Sequence, residues 1–81
     1  MHLTILLFAQ LAESIGKRSI EIEVRDGSTV SDLLAALEKK HPPIAALRGR
    51  LAVAIEECYA THDTIIRPGQ TVALIPPVSG G

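Results

Sequence analysis

The apolar positions of this 81-residue chain change period several times from one end to the other. From His2 to Phe8, Leu3, Ile5 and Leu7 share one face of an extended segment, while Leu6 and Phe8 lie on the other. A strand apolar on both faces belongs near the middle of a sheet. Spacing then turns helical from Ala9 to Ile15, with Leu11, Ala12 and Ile15 at i, i+1 and i+4 and Gly16 placed for a left-handed stop. From Ser19 to Arg25 alternation is strict: Ile20, Ile22 and Val24 point one way, and Glu21, Glu23 and Arg25 the other. That pattern predicts a half-buried strand with a wet face. Asp26-Gly27 supplies turn chemistry, and Thr29 with Asp32 forms a variant of the capping box, which usually carries Glu or Gln at the third helical position. Val30, Leu33, Leu34 and Leu37 then fall at i, i+3, i+4 and i+7 and predict a helix of three turns. Lys39, Lys40 and His41 suit its negative end, and Pro42-Pro43 stops it.

Beyond the prolines the pattern is less decisive. Ile44 to Gly49 fits a single helical turn. Leu51, Val53 and Ile55 alternate with Ala52 and Ala54 as a third strand, Glu56-Glu57 marks a turn, and Cys58 to Ala60 fits a short edge strand. Asp63 to Gly69 is a loop closed by Pro68-Gly69, a pairing that favours a type II turn because Gly accepts positive φ. Thr71 to Ile75 is a final strand, again apolar on both faces and so again central. With the first and last strands side by side and parallel, and the long helix crossing in the right-handed sense, this order resembles the β-grasp, or ubiquitin-like, α+β architecture. The expected chain is a single domain, residues 1–81, with a globular core over 1–75 and a flexible tail over 76–81.

Composition narrows the function. Apolar residues make up 47% of the chain, mainly aliphatic, so Phe8 and Tyr59 are expected to be the core's only aromatics. Eight basic residues stand against nine acidic, with no dense basic cluster, which argues against nucleic acid as a partner. Cys58 is alone, excluding a disulfide framework, and is expected to be a small buried hydrophobe. His2, His41 and His62 lack metal-ligand spacing and are expected to be solvated, so no metal site is expected. No carboxylate pair or Ser/His arrangement suggests hydrolase chemistry. The apolar run at the start is too short to span a bilayer, so a cytoplasmic location away from membranes is expected.

The chemistry points instead to the tail. After Ile75 come Pro76, Pro77, Val78, Ser79, Gly80 and Gly81. Two prolines that cannot donate to a sheet ladder carry the chain out of the fold, and two residues without side chains allow the backbone through a channel too narrow for a Cβ. The reactive group is then expected to be the main-chain carboxylate of Gly81. Extended at about 3.1 Å per residue, the six residues from Pro76 would reach roughly 19 Å.

The ending Ile75-Pro76-Pro77-Val78-Ser79-Gly80-Gly81 resembles that of the molybdopterin synthase small subunits, the MoaD-type sulfur carriers. Leu6-Leu7-Phe8-Ala9 followed by Leu11, Glu13 and Gly16, and Thr29-Val30 with Asp32-Leu33-Leu34, are similar to the family's first elements and main helix start. The resemblance implies a subunit with no catalytic activity of its own and no bound cofactor. It implies that an ATP-dependent adenylyltransferase of the ubiquitin-activating type joins Gly81 to AMP, and that a sulfur donor then leaves a thiocarboxylate there. It also implies insertion of Pro76 to Gly81 into the large subunit of molybdopterin synthase, in a heterotetramer of two small and two large chains, to supply sulfur to cyclic pyranopterin monophosphate. Phe8, Leu74 and Ile75 become the expected docking residues. Two positions depart from the family: Ala12 stands where Arg is common, so a polar contact to the large subunit is absent or moved, and Ala54 stands where Asn is common, leaving the following turn and edge strand open. A carrier for another pathway of the thiamine type shares the terminal chemistry, but its tails typically lack paired prolines. A ubiquitin-like protein modifier and an interaction module with an inert tail are the other readings.

Overall fold

The structure, a computed structural model, describes residues 1–77. Five strands and three helices follow in the order β1 (His2–Leu7), α1 (Ala9–Ile15), β2 (Ser19–Glu23), α2 (Val30–Lys40), α3 (Pro42–Ala46), β3 (Ala52–Ile55), β4 (Cys58–Ala60) and β5 (Thr71–Ile75). They build one sheet in the order β2-β1-β5-β3-β4. β1 and β5 pair in parallel, with Ile5 opposite Val72 and Leu7 opposite Leu74, and every other pair is antiparallel. This is the β-grasp arrangement expected from the element order, with both double-faced strands inside the sheet.

Register decides the core. Leu3, Ile5 and Leu7 of β1 share a face with Ile20 and Ile22, Val53 and Ile55, and Val72 and Leu74 of the neighbouring strands. All are buried, and they form one cluster with Leu11 of α1, Val30, Leu33 and Leu37 of α2, Ile44 of α3 and Ile66. The cluster contains no aromatic residue. Phe8 is 46% exposed and Tyr59 78%, which corrects the expectation that they line the core. Leu34, which completes the apolar stripe of α2, is only half-buried at its margin.

The helix ends follow from local chemistry. The Thr29 hydroxyl accepts the Asp32 backbone N–H at 3.2 Å, and the Asp32 carboxylate accepts the Thr29 N–H at 3.0 Å, so Asp completes the capping box despite its shorter side chain. The Thr29 backbone N–H first, and its side-chain hydroxyl second, hold the Asp32 carboxyl below its ordinary range. The next two N–H groups of α2 are taken by the strand-like loop before β5: Val30 donates to the Thr64 carbonyl and Ser31 to that of His62. The same strap seats Ile66 in the core, 1% exposed. At the other end the His41 N–H bonds the Leu37 carbonyl. Pro42 and Pro43 then open α3 instead of merely ending α2, since proline in a first turn lacks a donor that the helix would not have used. Helical structure therefore comes earlier than the Ile44 to Gly49 segment suggested.

His2 sits on the outer face of β1, directly opposite Glu23. Its ring hydrogen-bonds Glu21 and, at 3.1 Å, Glu23, and these carboxylates raise its pKa above the ordinary 6.5. Because the folded value is raised, this contribution to stability is complete below about pH 6.5 and is lost as pH climbs through the folded pKa. Stability of His2→Gln, followed by urea unfolding, is expected to be flatter than that of the parent across that interval and no different well above it. Leu33→Ala, at a position with no exposed surface, is expected to cost about 2 to 5 kcal/mol, read from the same denaturation midpoints.

Candidate functional site

Among the described residues, α1, α2 and α3 all contribute to the cluster on one face of the sheet, and no helix covers the opposite face of the central strands. Side chains of alternate residues point to that second face. One row runs across all five strands: Ser19, Leu6, Ala73, Ala54 and Tyr59, each opposite the next in register. Ile75 lies on the same face beside Ala52, and Thr71 beside Thr4. Together Leu6, Phe8, Ala54, Tyr59, Ala73 and Ile75 line a shallow concavity of about 620 Å³, closed at one end by Thr71, Glu56 and Glu57. The small side chains of Ala54 and Ala73 form its floor, and the larger ones form its walls.

Backbone strain shapes both ends of this groove. Ala9, which follows Phe8, has φ +49°, and Glu56 and Glu57 have φ +49° and +69°. A left-handed conformation costs a residue with a Cβ about 1 to 2 kcal/mol. At Ala9 the chain swings from β1 into α1 and leaves Phe8 outside the core. At Glu56-Glu57 it makes the two-residue hairpin between β3 and β4, where positive φ at both positions is type I′ geometry usually filled by Asn-Gly. The Glu56 carboxylate accepts the Thr71 N–H at 3.1 Å, tying this turn to the start of β5.

The expected docking residues separate. Phe8 and Ile75 lie on the groove, but Leu74 has no exposed surface and faces the helices. Adjacent residues of a strand point to opposite faces, so Leu74 cannot share a surface with Ile75. Sequence reasoning missed Leu6, Ala54, Tyr59 and Ala73. The second apolar face of the two central strands signals Leu6 and Ala73, whereas Ala54 on β3 and Tyr59 on β4 join them only through register. Around Phe8 a second hollow is lined by Leu6, Leu7, Ala9, Ala12 and Arg18. Arg18 thus lines the same hollow as Ala12, the position where the resemblance leads one to expect Arg. The edge strand left open by Ala54 is formed, as β4.

At the start of the expected tail, Pro76 is buried against the domain and Pro77 is exposed. Val78, Ser79, Gly80 and Gly81 lie outside the described residues. Cys58 is exposed, correcting the expectation of burial: it faces the helical side of the sheet, but on the edge strand β4, past the reach of the helices. Among the described residues no group of three or more His, Cys, Asp or Glu side chains is placed to hold a metal ion, and no helix is long and apolar enough to cross a membrane.

Comparison with known proteins decides the family. The sequence profile described as the ThiS family matches residues 5–81. The chain belongs to that family. The molybdopterin synthase sulfur carrier subunit of Arabidopsis thaliana is 32% identical over 81 residues, covering 100% of this chain and 84% of that protein. Small archaeal modifier protein 1 of Haloferax volcanii is 38% identical over 87 residues, covering 93% and 95% of the two chains. A crystal structure of SAMP1 from the same organism matches with a TM-score of 0.87 and 31% identity over all of both chains. In fold alone the chain is also similar to a protein in the complex of subunits 1 and 2 of the molybdopterin-converting factor from Helicobacter pylori 26695. There the TM-score is 0.70 at 21% identity, over 100% of both chains.

If Cys58 is as accessible as its exposure implies, a thiol-specific disulfide reagent is expected to modify the native protein completely and about as fast as the urea-unfolded chain. Protection of several orders of magnitude is what a buried thiol would show instead.

Proposed function

We propose that this member of the ThiS family is a sulfur carrier of molybdopterin synthesis that acts through the carboxylate of Gly81. The observation that carries the reading is positional. The central strand β5 runs directly into buried Pro76 and exposed Pro77, next to an apolar groove that its own helices leave bare. Val78, Ser79, Gly80 and Gly81 follow in the sequence. In this reading the domain supplies the body, the bare face the docking surface, and the glycine-ended segment the reactive group.

The chemistry follows from the terminal group. An α-carboxylate has a pKa of roughly 3.3 to 3.7 and is an anion at neutral pH, so nucleophiles do not attack it unaided. An adenylyltransferase partner of the ubiquitin-activating type would join a Gly81 oxygen to the α-phosphorus of ATP, expelling pyrophosphate. A sulfide-equivalent donor would then form a bond to the carbonyl carbon and expel AMP, leaving a thiocarboxylate. That sulfur is an effective nucleophile toward a cyclic pyranopterin monophosphate held by the large subunit of molybdopterin synthase. Two sulfurs in the product need two loaded carriers, which suits an assembly of two small and two large chains. Acid, base and phosphate-binding groups belong to the partners in this scheme, and the carrier itself turns nothing over and holds no cofactor. Its location is cytoplasmic.

Arm length is compatible with delivery. With Pro76 held by the domain, the five residues from Pro77 to Gly81, drawn out at about 3.1 Å each, would span roughly 16 Å, enough to enter a neighbour's interior. Pro77 restricts the unbound arm and reduces the entropy lost on insertion. Two features support the partner assignment: the Arabidopsis relative is named as a subunit of molybdopterin synthase, and the apolar groove is lined by Ile75, the last residue of β5.

A second reading is favoured by the Haloferax relative, which is named as a modifier. In it the activated Gly81 carboxylate is attacked by lysine amines of other proteins, and an amide replaces the thiocarboxylate. The two readings share activation and differ in the acceptor. Intact-mass measurement on chain isolated from its native cell is expected to find a species heavier by the exchange of one oxygen for sulfur. That species is expected to vanish on deletion of Gly81. Finding the chain instead only in Gly81-dependent, higher-mass protein adducts would transfer the assignment to the modifier reading. An unmodified carboxylate without adducts, in cells actively making the cofactor, would defeat both.

A further inference from the structure

The groove on the outer face is not electrically neutral. Its described lining is Leu6, Phe8, Ala54, Tyr59, Thr71, Ala73 and Ile75, together with the carboxylates of Glu56 and Glu57, and it includes no cation. The two carboxylates are not equivalent. Glu56 accepts the Thr71 N–H and so helps to build the start of β5, whereas Glu57 has no side-chain hydrogen bond or ion pair among the described residues. Glu57 also occupies the second position of a type I′ turn at φ +69°, where Gly is preferred. The fold gains nothing visible from a carboxylate there, and its backbone strain opposes any side chain.

We infer that Glu57 is a specificity residue of the outer face, and that the protein docking on the groove presents an apolar surface flanked by a lysine or arginine that meets this carboxylate. The inference rests on the docking role of the groove given above. A partner that covers Phe8, Ala73 and Ile75 also strips water from the lip of the same concavity. A carboxylate that loses its hydration without gaining a cation is penalised enough to offset the burial of large apolar side chains nearby. A surface without a cation at that point is therefore disfavoured, and one that carries it is favoured. An apolar patch alone would accept many partners, and the acidic lip makes the same face selective. A guanidinium fits best, since it can take both carboxylate oxygens together.

The test measures binding of the carrier to the molybdopterin synthase large subunit of the same cell, by calorimetry at two salt concentrations, with melting temperatures recorded for every variant. Glu57→Lys is expected to raise Kd by about tenfold or more, and Glu57→Gly to raise it less while leaving the melting temperature equal or higher. That combination separates a binding role from a folding role, because a residue needed for the fold would not be replaced by Gly without loss of stability. The parent affinity is expected to fall as salt rises, and that of Glu57→Gly to fall less. Ala73→Arg, at the centre of the floor, tests the docking role by itself and is expected to weaken binding strongly. If Ala73→Arg weakens binding but both Glu57 variants bind as tightly as the parent, or more tightly, the inference is overturned and the docking face stands. If Ala73→Arg binds like the parent, the docking face is wrong and the inference falls with it.

Discussion

The parallel pairing of β1 with β5 is the constraint on which the rest of the molecule depends. It joins segments at opposite ends of the sequence, so everything between them is one long excursion that must return to the same sheet. Parallel neighbours need a crossover, and α2 supplies it while laying Val30, Leu33 and Leu37 on the sheet. With Ile5 opposite Val72 and Leu7 opposite Leu74, the pairing also brings the end of β1 beside the end of β5. Phe8 and Pro76 follow from those ends. The chain's first strand thereby helps to form the surface beside the place where its last strand gives way to the tail.

A sheet covered by helices on one side only has a definite consequence when its central strands are apolar on both. Burial of Leu3, Ile5, Leu7, Val72 and Leu74 supplies the folding energy, and the alternate residues Leu6, Ala73 and Ile75 line the outer face. Their alanine floor keeps the exposed apolar area small. Leu6, Ala73 and Ile75 are half-buried and Phe8 is exposed, so none is fully committed to the domain's own core.

Local strain lies at the rim of this surface, not in the core. Among the described residues the non-glycine ones with positive φ are Ala9, beside Phe8, and the pair Glu56 and Glu57 at the groove's end. Strain of this kind persists only where surrounding structure holds it. Here the holding contacts are visible: the Glu56 N–H donates to the Thr71 carbonyl at 3.0 Å and its carboxylate accepts the Thr71 N–H in return. The central strand that leads to the tail therefore also fixes the hairpin that bounds the groove.

Local patterns in the sequence determined most of the elements. Strict alternation marked β2, the i, i+3, i+4, i+7 spacing with Thr29 and Asp32 marked α2, Gly16 and Gly69 marked their turns, and two double-faced strands required the centre of the sheet. These are properties of neighbouring residues, and a period survives whatever the fold does with it. Tertiary structure alone decided which of two apolar faces the helices would cover, because a period of two tells which residues share a face and not which face is buried. That decision placed Leu74 inside and Ile75 outside, left Phe8 and Tyr59 at the surface, and kept Pro76 with the domain. It exposed Cys58 as well, since a core-facing position on an edge strand stays dry only if a helix extends far enough to cover it.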